Sequence, residues 1–136
     1  MTPLSRWPLT RDEEEKIRDL FLGRMVEVSD LEKMRSLLKS LLSESEYLMI
    51  AKRLVAFVLV DEGYADVEVA KILHVTRATA NRFRMIYKFS RENKEPVVRV
   101  VREFKRKPEL KEILLKVLVK HVLPAAMGRI PKRWPF

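Results

Sequence analysis

Between Thr76 and Lys88 the chain sets Arg77, Ala78, Asn81, Arg82 and Arg84 at helical spacing, with hydroxyl groups at Thr76 and Thr79. An arginine can grip O6 and N7 of guanine through two parallel hydrogen bonds. An asparagine such as Asn81 can do the same with N6 and N7 of adenine, and Ala78 or a threonine methyl can touch the methyl of thymine. No acid lies between Glu68 and Glu92, whereas a solvated helix of this length ordinarily mixes both signs. Such a face suits a helix in the major groove of DNA. Arg77, Ala78, Asn81 and Arg82 would read bases, while Thr76, Thr79, Arg84 and Lys88 hold phosphates.

A reading helix needs a second helix to carry it. Val69, Ala70, Leu73, Val75, Ala80 and Phe83 have the spacing of a helix-turn-helix over about residues 66–89. Ala70 lies where the two helices cross closely, and Val69, Leu73, Val75 and Phe83 fill the space beneath. Only His74, Val75 and Thr76 separate the two short helices, expected over 67–73 and 77–89, with Asp66 and Thr76 as N-caps. His74 stands where a glycine is usual in the turn, and Ala80 where isoleucine or valine is usual.

Upstream, three segments open with a hydroxyl residue followed three places later by glutamate: Thr10 with Glu13, Ser29 with Glu32, and Ser43 with Glu46. This is a capping signature, and helical apolar spacing follows each. The third helix is expected to run from Glu44 to about Glu62 and to stop at Gly63, a favourable left-handed cap. Its apolar residues nearly encircle it, so it is either the centre of the domain or the core of a dimer. Downstream, Pro96 and Pro108 each sit at a plausible first helical turn. The last helix carries Leu110, Ile113, Leu114, Val117, Leu118 and Val122 on one stripe, and Pro124 ends it.

Composition agrees with an all-α chain. Among 136 residues there are only 3 glycines and 7 prolines, too few turn formers for sandwiches or barrels, and 47% hydrophobic residues suffice for a core. The absence of cysteine removes disulfides, thiolate nucleophiles and zinc ribbons, and His74 and His121 are too far apart in sequence to suggest a metal cluster. With neither a signal core nor a stretch approaching the roughly 20 apolar residues that span a bilayer, a cytoplasmic, nucleoid-associated protein is expected. The net charge of +9 is unevenly spread. Residues 1–62 hold 10 Lys and Arg against 12 Asp and Glu, and residues 63–136 hold 18 against 7. The positive field belongs to the second half and favours a polyanion as partner.

The run LLSESEYLMIAKRLVAFVLVDEGYADVEVAKILHVTRATANRF resembles the core of the Trp repressor superfamily, and most of all its YerC/YecD branch of small bacterial transcriptional regulators. The resemblance rests on Leu41, Leu42 and Ser43, on Arg53 and Leu54, on Gly63, and on Thr76, Arg77, Ala78 and Thr79 with Asn81 and Arg82 after them. It covers residues 10–106, including the helix start at Pro96 and Val97. It implies an intertwined homodimer whose two recognition helices enter successive major grooves about 34 Å apart on a roughly palindromic site. The chain would then comprise an N-terminal arm (1–9), a DNA-binding and dimerisation domain (10–106), and an extra C-terminal helix with a basic tail (107–136). Arg53 and Arg82 match the two arginines that sandwich the indole in the tryptophan repressor. Phe83 and Ile86 depart from that ligand pocket, so Phe83 would fill it with its own ring and no tryptophan co-repressor or other cofactor is expected.

Other residues invite weaker readings. His121 and His74 stand without the partners that acid-base catalysis needs, and Asp12, Glu13, Glu14 and Glu15 need no explanation beyond the dipole of a first helical turn. Trp7 and Trp134 are expected to bury partly against the nearest helix. Arg102, Lys105, Arg106, Lys107 and Lys111 either track the DNA backbone or form the solvated side of two helices, and Arg129, Lys132 and Arg133 could enter a minor groove. The leading expectation is a non-enzymatic, sequence-specific regulator of double-stranded DNA, a repressor acting as a dimer. The alternative is a sequence-nonselective nucleoid- or RNA-associated protein bound through Lys105, Arg106 and Lys107. A third possibility is an adaptor that docks a protein along the stripe from Leu110 to Val122.

Overall fold

The computed structural model describes residues 8–122, which are helical between short turns and contain no strand. Seven α-helices follow in order: α1 (Arg11–Glu27), α2 (Leu31–Leu41), α3 (Glu44–Asp61), α4 (Asp66–Leu73), α5 (Arg77–Glu92), α6 (Pro96–Lys105) and α7 (Pro108–Val117). The final described turn, Leu118–Val122, is π-helical. The last helix therefore widens before Val122 instead of continuing as a regular α-helix. This turn packs on α4, and Leu118 within it is buried.

The helix starts follow local chemistry. The Thr10 hydroxyl accepts from the Glu13 amide at 3.2 Å, and the Glu13 carboxylate accepts from the Thr10 amide at 3.2 Å, closing the expected reciprocal cap. The Ser43 hydroxyl likewise accepts from the Glu46 amide at 3.1 Å. At α2 the cap falls one residue later than expected, because the Asp30 carboxylate accepts from the Glu32 amide at 2.8 Å and does the work assigned to Ser29. Gly63 closes α3 at φ 92°, with the Tyr64 amide donating to the Leu59 carbonyl at 3.0 Å.

The chain divides into two compact units meeting between Tyr47 and Leu48. In the first, α1 and α2 bury no residue: Leu20 is 72% exposed and Leu31 70%. The second has a continuous core in which Ala56, Phe57, Val58 and Leu59 of α3 meet Val69, Ile72, Phe83 and Tyr87. Leu110, Leu114 and Leu118 belong to that same core. The helix from Pro108 is thus part of the central cluster. Three residues of the stripe proposed for docking a partner, Leu110, Leu114 and Leu118, are covered by the chain itself, whereas Ile113 on the same stripe is exposed.

Candidate nucleic-acid interface

The α4–α5 pair is built as a tight corner. His74 adopts the left-handed conformation (φ 52°, ψ 53°) that makes glycine usual there, and the Val75 amide returns to the Ala70 carbonyl at 3.1 Å. Nζ of Lys52 reaches the His74 carbonyl at 3.5 Å. Thr76 then caps α5 as expected, accepting from the Thr79 amide at 3.1 Å while its hydroxyl donates to that of Thr79 at 2.9 Å. Val69, Ala70, Ala80 and Phe83 are buried at the crossing, and Leu73 and Val75 are half-buried.

With that face turned inward, α5 presents the other. Arg77, Ala78, Asn81, Arg82 and Lys88 are exposed together with Thr76. The first two turns therefore offer two guanidinium groups, a methyl and an amide to solvent. Thr79 is half-buried, and its own hydroxyl proton is left to donate to an anion.

Asp66 is the residue that sequence reasoning misplaced. Expected as the N-cap of α4, it lies inside the first turn; Ala65 holds the cap position and its amide donates to the Glu68 carboxylate at 3.0 Å. That frees Asp66 to reach across the corner, where one oxygen accepts from Nδ2 of Asn81 at 2.9 Å and pairs with Arg84 at 3.1 Å. Arg84, assigned to phosphate, is thus half-buried in an internal ion pair. Because the Asn81 amide nitrogen carries two protons, one can remain on Asp66 and orient the side chain while the other, with Oδ1, is left for N7 and N6 of adenine. The fifteen residues separating Asp66 from Asn81 hide this contact from any local pattern.

Beneath the corner lies an aromatic stack. Phe83 meets Phe57 edge to face at 6.5 Å, and Phe57 stacks on Tyr87 at 5.3 Å. The Arg53 guanidinium sits 5.5 Å from the centroid of the Phe83 ring, a cation–π contact. One expected sandwiching arginine therefore already covers an aromatic ring that the chain supplies. The other, Arg82, is exposed, as is Ile86.

Lys105 departs from its expected role along the DNA backbone. Its ammonium binds the Asp61 carboxylate at 2.8 Å and that of Glu62 at 2.7 Å, and the Tyr87 hydroxyl donates to Asp61 at 2.9 Å. Burial works to raise the Asp61 carboxyl, but hydrogen bonds from Lys105 and Tyr87, aided by the charge of Arg91, hold it below the ordinary aspartate value. Burial and then the adjoining Asp61 push the Tyr87 phenol far above its ordinary range. The two carboxylates raise Lys105 in turn. This network ties α6 to the end of α3 and leaves Arg106 and Lys107 as the exposed members of the trio.

Trp7, Pro124, Arg129, Lys132, Arg133 and Trp134 lie outside the described residues, as does the side chain of His121. Among the described residues no group of three or more His, Asp or Glu is placed to hold a metal ion, and no helix is long and apolar enough to cross a membrane. No family model, curated protein or solved structure matches the chain.

Proposed function

We propose that the chain is a sequence-selective, duplex-DNA-binding transcriptional regulator of the Trp repressor-like kind, acting as a homodimer and repressing by occupancy of an operator. The observation that carries this reading is the exposed, acid-free start of α5, with Arg77, Ala78, Asn81 and Arg82 on the outer side of a three-residue helical corner. Side chains of these types recognise base edges by paired hydrogen bonds and methyl contacts. Phe83 and Arg53 keep the corner assembled from within, so the reading needs no tryptophan to complete the head.

Dimerisation is supported by apolar surface that the chain does not cover. Leu20 and Leu31 are exposed in the first unit, as are Leu48, Met49 and Ile50 near the start of α3. A second copy of the same helices is the natural cover, since isologous contact makes one patch serve both subunits.

Selection of bound duplexes from a random pool tests the proposal. The expected result is a roughly palindromic motif bound about a thousandfold or more tighter than scrambled DNA at physiological salt. Binding without enrichment would replace it by the nonselective reading, in which Arg106 and Lys107 hold backbone alone.

A further inference from the structure

At the far end of α5, five cations border one concavity: Arg91, Lys94, Arg99, Arg102 and Arg106. Two carboxylates, Glu95 and Glu103, share it, and the only ion pair within 4 Å among these residues is Arg99 to Glu103 at 3.0 Å. The concavity is open, has a volume of about 960 Å³, and includes Pro96 and Val98 as apolar lining. That size lies within the range of sites for small ligands. The corner that shapes it is unusual, because Lys94 holds φ 52°, a conformation glycine adopts freely and lysine does not.

We propose that this groove between α5 and α6 binds a small molecule bearing two or more linked phosphates, the nucleoside di- or triphosphate class. Five cations less two carboxylates leave a net charge of +3, which complements a di- or triphosphate and exceeds what a single phosphate requires. Arginine forks bind phosphate oxygens bidentately, and their planes stack on nucleobases above an apolar floor. The groove is separate from the base-reading turn, although Lys88, expected to hold DNA phosphate, lies only three residues before Arg91. Arg91 lies fourteen residues beyond Arg77 on one helix, a separation of about 21 Å along the axis at the ordinary rise. The proposal does not rest on the DNA-reading proposal, which uses the opposite end of α5.

Calorimetric titration of the full chain with tripolyphosphate, with ATP and with inorganic phosphate tests it. Tripolyphosphate or ATP is expected to bind at least tenfold tighter than inorganic phosphate. ATP tighter than tripolyphosphate would show that the base is engaged as well, and equal affinities that the phosphates alone are read; both fit the proposal. Arg91→Ala with Arg102→Ala should weaken binding tenfold or more. Lys94→Gly relieves the left-handed lysine, so its melting temperature should not fall while its affinity drops severalfold, which separates a lost contact from a lost fold. Three results would overturn the proposal: no preference over inorganic phosphate, unchanged affinity in both variants, or competitive displacement of tripolyphosphate by random-sequence duplex. The last would make the groove a DNA-backbone contact.

Discussion

The two compact units of this chain use similar apolar residues to opposite ends. In the second, Phe57, Val58, Leu59, Phe83, Tyr87, Leu110 and Leu114 converge from α3, α5 and α7 and lose nearly all contact with water. In the first, Ile17, Leu20, Phe21 and Leu31 are carried on well-capped helices and stay exposed. The difference is one of closure. A cluster drawn from five helices of one chain can surround its own members, whereas two helices that bury nothing depend on something outside them. Stability of the second unit should therefore be intrinsic, and order in the first should depend on protein concentration.

The sharpest way to break this contrast is to open the closed core. Phe83→Ala removes a ring that is 2% exposed and should cost about 3–5 kcal/mol, read as a lowered midpoint in urea. A cost under about 1 kcal/mol would mean that the core is not closed as described. Next, Leu20→Glu with Leu41→Glu puts charge on the uncovered helices. Sedimentation equilibrium should show dimerisation weakened on the order of a hundredfold, or about 2.7 kcal/mol, with the melting of the second unit little changed. Asp61→Asn comes third at about 2 kcal/mol, since it leaves the Lys105 ammonium with Glu62 alone and replaces the charged acceptor of Tyr87 by a neutral amide.

That variant also carries a pH signature. The Asp61 carboxyl lies lower in the folded chain than in the unfolded one. Its contribution is thus present above the unfolded value, about pH 4, and is lost as pH falls through the folded value. Acid unfolding of the parent chain should include this loss, and Asp61→Asn should lack it. The smallest effect belongs to Thr10→Ala, which removes one half of a reciprocal cap for about 1 kcal/mol. Faster amide exchange confined to the first turn of α1 would show it.

Much of this architecture was legible in local chemistry. The caps at Thr10, Ser43 and Thr76, the stop at Gly63, and the proline-led starts at Pro96 and Pro108 are decided within four residues, and the structure follows them. The helix-turn-helix spacing placed Val69, Ala70, Ala80 and Phe83 inward, because helical periodicity alone determines which side of a short helix faces its neighbour. What escaped was decided over longer range. Asp66 was taken for a cap because aspartate favours that position; its carboxylate is instead claimed by Asn81 and Arg84, fifteen and eighteen residues away. Lys105 looked like one cation in a basic run, yet Asp61 and Glu62 hold it across more than forty residues. The stripe of α7 was correctly apolar, but nothing local says whether such a stripe meets its own chain or another.

The central claim is that the exposed start of α5 reads bases. The most direct measurement is the affinity of Arg77→Ala, relative to the parent chain, for the enriched duplex and for a scrambled one at equal salt. The account predicts a loss of about 1–3 kcal/mol on the enriched duplex, with a much smaller change on the scrambled one. Equal losses on both would mean that Arg77 holds backbone alone, and would contradict the account.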